Sequence, residues 1–201
     1  MNETKRLVYS KEFSPIPMVV RRPAISSELC DKIVTTMRKK GLVPGLVWDG
    51  SKFIVDEGYR VVDTADILEA DVPELYDALQ QLALELNEVF KFNIYGVFDD
   101  AIFMEYRQAN VNHGDGFFNW HTDAGDGYTS LRKFSIVIGL TEPHEYEGGD
   151  LLVQSGAQHR AIRLHKGECA AFPAYITHCV TPVTHGVRNS IVVFIVGPRF
   201  V

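Results

Sequence analysis

The chain has 201 residues, 46% of them apolar, which is enough to bury one hydrophobic core but few for two. We therefore expect a single domain over residues 1–201. The 26 acidic against 20 basic residues give a net charge of −6, which argues against a dedicated nucleic-acid surface, because such surfaces cluster Lys and Arg on phosphates.

The cysteines and the start of the chain indicate a cellular setting. Three cysteines without Cys-x-x-Cys spacing predict neither a disulfide framework nor a structural zinc site. The first residues, MNETKRLVYSKEF, lack the apolar run of a signal peptide, and no apolar segment is long enough to span a bilayer. We expect a soluble protein of the reducing cytoplasm with no membrane partner.

Two helices are predicted in the first half. The segment SSELCDKIVTTMRKK starts at a capping Ser26, has an acidic first turn and a basic last turn, and stops before Gly41. The second helix opens at Asp71 with a D-x-x-E capping box and Pro73, followed by apolar residues at three- and four-residue steps. The segment from Gly41 to Arg60 has no period and fits a mobile loop.

After residue 90 the pattern changes to short apolar or alternating runs separated by turn residues. These runs are IYGVF, AIFMEYR, KFSIVIGL, DLLVQ, RAIRL, ECAAF and NSIVVFIV. No helix-length pattern interrupts them, which favours a jelly roll or barrel over a parallel α/β sheet. The predicted fold is mainly β: a double-stranded β-helix (jelly-roll, cupin-like) core over about residues 93–201, with helical N-terminal support over about 1–92.

The segment FNWHTDAGDG places His121 and Asp123 two positions apart. At the end of a strand both side chains would share one face and could meet one ion. His178, which follows the run ECAAF, is a third candidate ligand, and two histidines with one carboxylate form the facial set of non-haem Fe(II) oxygenases. A His-x-Asp pair alone is also common as a simple hydrogen-bonded pair. The other histidines are predicted to be solvated: His113, His144, His159, His165 and His185.

A second signal is Arg188 in GVRNSIVVFIV, with Ser190 on the same face of the predicted strand. An arginine directed into a barrel is costly unless it is paired, and its planar fork suits a carboxylate. These residues therefore indicate a pocket for a small dicarboxylate. The alternative is an exposed strand-end arginine in a surface ion pair.

Taken together, His121-x-Asp123, EGGDLLVQ and FPAYITHCVTPVTHGVRNS resemble the Fe(II)- and 2-oxoglutarate-dependent dioxygenases. The resemblance covers about Phe103 to Phe200 and is greatest to the prolyl 4-hydroxylase-like branch, which includes bacterial and phage prolyl/lysyl hydroxylase types. It implies that His121, Asp123 and His178 bind Fe(II). It also implies 2-oxoglutarate and O₂ as co-substrates, with ascorbate as a candidate reductant.

The resemblance assigns further roles. Arg188, assisted by Ser190, would bind the distal carboxylate of 2-oxoglutarate, and Tyr106 on AIFMEYR matches a tyrosine that reaches this carboxylate in many relatives. Family halogenases replace the ligand carboxylate, so retention of Asp123 favours hydroxylation. The EGGD segment is interpreted as a tight turn and not as a ligand set. Candidate contacts of the prime substrate are Trp48, Tyr59, Arg60 and Trp120.

The resulting hypothesis is hydroxylation of an unactivated C–H bond, with release of succinate and CO₂. The expected substrate is a prolyl or other residue in a peptide or protein, because the resemblance is greatest there. One alternative is a hydroxylase of a free amino acid or other small metabolite. Another is a non-oxygenase, cupin-like metal-binding module, which would have no need of Arg188. A nucleic-acid demethylase is disfavoured by the charge.

Overall fold

The computed structural model describes residues 19–109 and 114–199. The N-terminal segment without an apolar run and His113 lie outside the described residues. The helices are α1 Ser27–Lys40 and α2 Pro73–Phe90, with short 3-10 helices at Gly127–Leu131 and Pro143–Glu145. The strands are β1 Val20–Pro23, β2 Val43–Pro44, β3 Val47–Trp48, β4 Phe53–Ile54, β5 Arg60–Val61, β6 Asp63–Ile67, β7 Gly96–Val97, β8 Ala101–Arg107, β9 Phe117–His121, β10 Arg132–Gly139, β11 Tyr146–Gly148, β12 Leu151–Ser155, β13 Gln158–Ile162, β14 Glu168–Pro173, β15 His178–Val180 and β16 Val183–Val196.

The strands form two main sheets. The first has the order β1-β14-β10-β16-β8-β6-β2, with β7 and β11 also paired to β16, and the second has the order β13-β12-β15-β9-β5. From β8 to β16 the chain passes back and forth between these sheets, and the ladders are antiparallel. This interleaving is the predicted jelly roll. Each apolar run predicted after residue 90 contains or overlaps a strand.

Strand β16 shows how alternation separates two interiors. One side of the strand carries Ile191, Val193 and Ile195, which belong to the apolar core that packs on the helices. The other side carries Arg188, Ser190, Val192 and Phe194, which line a cavity between the sheets. Because successive side chains of a strand point to opposite faces, Arg188 and Ser190 are directed to the cavity.

Helix α1 forms as predicted. The Ser26 hydroxyl accepts a hydrogen bond from the Leu29 amide at 3.2 Å, and the helix ends before Gly41, whose φ is +97°. Its buried face carries Cys30, Ile33 and Met37. A serine cap, a basic last turn and a glycine stop therefore determine this helix locally.

Helix α2 differs from its prediction at the first turn. Val72 is the N-cap residue, and no side chain caps it, so the predicted capping box at Asp71 is wrong. The Asp71 carboxylate instead accepts hydrogen bonds from the Leu68 amide and from the Lys40 ammonium at 2.5 Å. A tertiary contact between the end of α1 and the start of α2 has replaced the local cap. Neither of the helices described is long and apolar enough to cross a membrane.

The N-terminal half contributes more than helices. Strands β1, β2 and β6 join the first sheet, and β5 joins the second. The segment 41–60 contains the β3–β4 hairpin, in which the Trp48 and Phe53 rings meet at 5.1 Å. These strands are two to five residues long, too short for a two-residue period to be visible in the sequence.

Truncation of Leu79 in the buried face of α2 tests this packing. Leu79 is fully buried, so Leu79→Ala should lower the free energy of unfolding by about 2–5 kcal/mol, through lost burial and a cavity. Leu84→Ala on the exposed face of the same helix is the control and should change it by about 0.5 kcal/mol or less. Urea denaturation measures the free energy of unfolding of both variants. Equal losses would contradict the packing of this face of α2 against the core.

Candidate active site

A cavity of about 700 Å³ lies between the two sheets. Its volume is in the range of small-molecule sites. The predicted metal ligands and the predicted anchor residues all line it: His121, Asp123, His178, Tyr106, Arg188 and Ser190. The structure therefore brings residues from distant parts of the sequence into one chamber.

The two histidines meet across paired strands. His121 is the last residue of β9, His178 is the first of β15, and they are register partners. Asp123 Oδ1 lies 3.7 Å from His121 Nε2, and its Oδ2 lies 3.5 Å from His178 Nε2. The three ligand atoms are within 4.8 Å of one another, which is compact enough for one ion.

Backbone carbonyls orient both imidazoles. His121 Nδ1 lies 2.7 Å from the Asn119 carbonyl oxygen, and His178 Nδ1 lies 3.0 Å from that of Ile176. Each Nδ1–H donates to its carbonyl, which leaves the Nε2 lone pair free on the side of the carboxylate. Burial, reinforced by His178, lowers the pKa of His121 to about 4, so this ring is neutral at pH 7, as metal ligation requires.

Asp123 reaches the site from a loop and not from the strand, because β9 ends at His121. Its amide donates to the Ala174 carbonyl at 3.0 Å, and its own carbonyl accepts from Arg132 at 3.1 Å. The buried Ser135 hydroxyl donates to Asp123 Oδ2 at 2.5 Å. Ser135 was not among the residues predicted from the sequence, although the alternation of KFSIVIGL places it on the same face as the cavity-lining Val137.

Arg188 is only 5% exposed. Its Nη1 donates to the Ser190 hydroxyl at 3.1 Å, and its Cζ lies 5.2 Å from the centre of the Tyr106 ring. No carboxylate of residues 19–109 or 114–199 forms an ion pair with it. A buried guanidinium is costly without a partner, so this group fits an anionic ligand, and the alternative of a surface ion pair is wrong.

Tyr106 faces Arg188 directly across the β8–β16 ladder. Burial raises the pKa of its phenol, so the hydroxyl stays protonated and can donate. Among the residues that the structure describes, the hydroxyl contacts only a weak acceptor, the Met104 sulfur at 3.3 Å. A ligand carboxylate held by Arg188 would provide a stronger acceptor.

A β-bulge decides which aromatic side chains of β9 face the cavity. Between the pairs His178–His121 and Val180–Phe118, a step of two residues on β15 corresponds to three on β9. Phe118 and His121 therefore stack on the same side, with ring centres 3.7 Å apart. Trp120 does not line the cavity; it is 39% exposed, with its ring 5.9 Å from that of His159.

The other candidate substrate contacts, Trp48, Tyr59 and Arg60, do line the cavity. The Tyr59 hydroxyl donates to the Trp120 carbonyl at 3.2 Å, so this tyrosine also anchors β9. Arg60 Cζ lies 4.5 Å above the Phe118 ring. Its Nη1 donates to the Leu46 carbonyl at 3.0 Å, whereas its buried Nε has no hydrogen-bond partner in the described part of the chain.

The remaining described histidines and Cys179, which is adjacent to His178, show no sign of a chemical role in the site. The histidines predicted to be solvated are exposed wherever the structure describes them: His144, His159, His165 and His185. Cys179 is 6% exposed, and burial raises the pKa of its thiol to about 11. It is therefore a small buried apolar residue and not a thiolate nucleophile.

The donor set fits iron. Two imidazole nitrogens and one hydrogen-bonded carboxylate, all on one side of a cavity, are the ligands of non-haem Fe(II) sites. The arrangement inside a jelly roll, with a buried arginine in the same chamber, resembles that of non-haem iron oxygenases that use a carboxylate co-substrate.

Comparison with known proteins indicates the family. The model of the 2OG-Fe(II) oxygenase superfamily matches residues 106–196. The chain is similar to a PKHD-type hydroxylase of Klebsiella pneumoniae, with 38% identity over 78 residues, which are 39% of this chain and 33% of that protein. It is 31% identical over 150 residues to the PKHD-type hydroxylase YbiX of Shigella boydii, covering 73% of this chain and 63% of that protein. Residues 106–196 are thus similar to the 2OG-Fe(II) oxygenase superfamily, and the wider chain is similar to PKHD-type hydroxylases.

A solved structure confirms the fold. The prolyl-4-hydroxylase of Pseudomonas putida superposes with a TM-score of 0.70 at 18% identity, covering 90% of this chain and 92% of that one. This likeness supports the jelly-roll architecture. The chain spans less than two thirds of the length of the two PKHD-type relatives.

Removal of the Ser135 hydroxyl tests the support of the carboxylate ligand. Ser135→Ala should weaken Fe(II) binding about 10–100-fold, because partners that orient a ligand have effects of this size. The control is Ser130→Ala, whose hydroxyl donates only to the nearby Gly127 carbonyl. Anaerobic competition with a chelator measures both affinities. Unchanged affinity in Ser135→Ala would show that the Asp123 carboxylate does not depend on this hydrogen bond.

Proposed function

We propose that this protein is an Fe(II)- and 2-oxoglutarate-dependent dioxygenase that hydroxylates an unactivated C–H bond and releases succinate and CO₂. The observation that carries the proposal is the presence, in one cavity, of a His-Asp-His donor set and of a buried guanidinium that lacks a carboxylate partner among the described residues. The similarity to the superfamily supports the same chemistry.

Each residue has a defined task. His121, Asp123 and His178 would hold the iron through Nε2, a carboxylate oxygen and Nε2. Arg188 would pair with the distal carboxylate of 2-oxoglutarate, and Tyr106 would add a donated hydrogen bond. When bound, iron supplies the activation of O₂, while the protein supplies orientation and a dry pocket. The Phe118 ring, stacked on His121, closes one wall of that pocket against water.

The first test is an anaerobic titration of the Fe(II)-loaded protein with 2-oxoglutarate. We expect a weak visible metal-to-ligand charge-transfer band, followed by succinate once oxygen is admitted in the presence of ascorbate. Asp123→Ala should lose both the band and tight iron binding. Iron retained without band or succinate in the wild type would instead favour the cupin-like metal-binding module.

Arg188→Ala tests the anchor. Loss of one partner of a buried charge pair costs about 2–5 kcal/mol, so the affinity for 2-oxoglutarate should fall at least roughly 30-fold. Iron binding should remain, because Arg188 contacts none of the ligands in the interactions described. Arg160→Ala, an exposed arginine on β13, is the control and should bind 2-oxoglutarate like the wild type. An unchanged affinity in Arg188→Ala would refute the assignment of the co-substrate.

For the prime substrate we propose a peptide or protein, with a prolyl residue as the site of hydroxylation. The relatives are named hydroxylases, which supports the reaction, and the solved structure of similar fold is a prolyl-4-hydroxylase. The β3–β4 hairpin supports a peptide substrate, because Trp48 and Phe53 are 57% and 66% exposed where they border the cavity, as a surface that receives an extended chain would be.

Trp48→Ala tests this peptide surface. With a proline-containing peptide that stimulates succinate formation, the variant should raise KM several-fold and leave the affinity for 2-oxoglutarate unchanged, because an exposed aromatic contact is worth about 1 kcal/mol. Tyr95→Ala, at a tyrosine that is 72% exposed and outside the cavity lining, is the control. Stimulation by free L-proline but not by peptides would favour the amino-acid hydroxylase.

We also propose a reducing, cytoplasmic setting. The three cysteines are free and buried in the structure, which suits a compartment that does not form disulfides.

A further inference from the structure

The EGGD segment contains two glycines with positive φ that serve different purposes. Gly148 and Gly149 have φ values of +71° and +62°. A Cβ on Gly148 would overlap the Pro182 carbonyl oxygen, so this residue permits a close approach of two backbones. The nearest atoms to a Cβ on Gly149 belong instead to side chains, and the first of these is Arg188 Cδ at 2.9 Å.

The aliphatic stem of Arg188 is thus packed against a glycine. Val183 Cγ2 also lies 2.9 Å from a Cβ built on Gly149, and Tyr146 Cε2 lies 3.3 Å from it. Val183 is fully buried and Tyr146 is 5% exposed, and neither lines the cavity. Arg188 is equally buried but does line the cavity, so its stem has free space beside it. The arginine stem is the partner that must move if a methyl group is placed at residue 149.

Such a movement reaches the charged end of the side chain. Cδ is bonded to Nε of the guanidinium, whose opposite end donates to Ser190 and lies over the Tyr106 ring. A displacement of Cδ therefore shifts or tilts the planar fork. Bidentate pairing with a carboxylate depends on the position of that fork.

We infer that Gly149 is a positioning residue, which leaves room for the Arg188 stem and so fixes where the guanidinium can receive the distal carboxylate of the co-substrate. This inference rests on the proposed function, because it assigns Gly149 a role through the proposed anchor. It gives the EGGD turn a role in ligand affinity in addition to its role in the chain reversal.

The test compares Gly149→Ala with Gly156→Ala. Gly156 has a φ of +61°, and no atom lies within 4 Å of the position of its Cβ, so its substitution carries the same backbone strain without the contact to Arg188. The Fe(II)-loaded proteins are titrated anaerobically with 2-oxoglutarate and with 2-oxobutyrate, which lacks the distal carboxylate. The charge-transfer band reports binding, and chelator competition reports the iron affinity.

We expect Gly149→Ala to weaken 2-oxoglutarate binding by roughly tenfold or more, as for other residues coupled through direct contact. Its binding of 2-oxobutyrate and of Fe(II) should equal that of Gly156→Ala. In an Arg188→Ala background, Gly149→Ala should cause no further loss for 2-oxoglutarate, because the group through which it acts is absent.

Two results would overturn the inference: an equal loss for both 2-oxo acids, or a loss that persists without Arg188. If Gly149→Ala does not fold, Val183→Ile adds a methyl group to the same contact without backbone strain, and it should show the same selective loss. Absence of a band for the wild type with 2-oxoglutarate would refute the proposed function itself, before any glycine variant is compared.

Discussion

The constraint on which this site depends is the buried charge of Arg188. A guanidinium with 5% exposure needs a counter-charge, and none of the described carboxylates supplies one. The protein provides only partial compensation, from the Ser190 hydroxyl and the Tyr106 ring. The proposed dianionic ligand would complete the pairing, so its binding should relieve an unfavourable state of the free protein and stabilise the fold. The cavity is therefore organised around a charge whose partner arrives from solution.

The metal ligands are held by a different principle, which the protein uses twice. His121 and His178 each donate Nδ1–H to the carbonyl two residues earlier in the chain. The orientation of each ring is thus set by the backbone of its own segment, and the pairing of β9 with β15 then brings the two Nε2 atoms together. Asp123 has no such local device and relies on Ser135, from a strand of the other sheet. Both sheets must consequently be in place before the donor set is complete.

The sequence predicted those features that local chemistry or regular alternation determines. Arg188 and Ser190 share a face because β16 is a regular strand, and α1 begins at Ser26 because a serine hydroxyl can cap it. Regular alternation did not predict which side chains of β9 face the cavity. A bulge turns Phe118 into the cavity and leaves Trp120 outside it. A bulge changes the register without any period in the sequence to reveal it. The predicted capping role of Asp71 is wrong because the Asp71 carboxylate forms an ion pair with Lys40, which is distant in the sequence.

The two sides of the cavity differ in how firmly their residues are fixed. Arg188, Tyr106 and the histidines lie in ladders of the jelly roll, where each backbone is held by neighbouring strands. Trp48 and Arg60 come from two-residue strands of the segment 41–60, and one carbonyl holds the Arg60 guanidinium. In the proposed function, co-substrate and iron would bind to the rigid side, and the prime substrate would meet the side with fewer constraints. Because none of the described hydrogen bonds or ring contacts joins the β3–β4 hairpin to Arg188 or Tyr106, we expect substitutions in the hairpin to alter substrate choice while the carboxylate anchor is preserved.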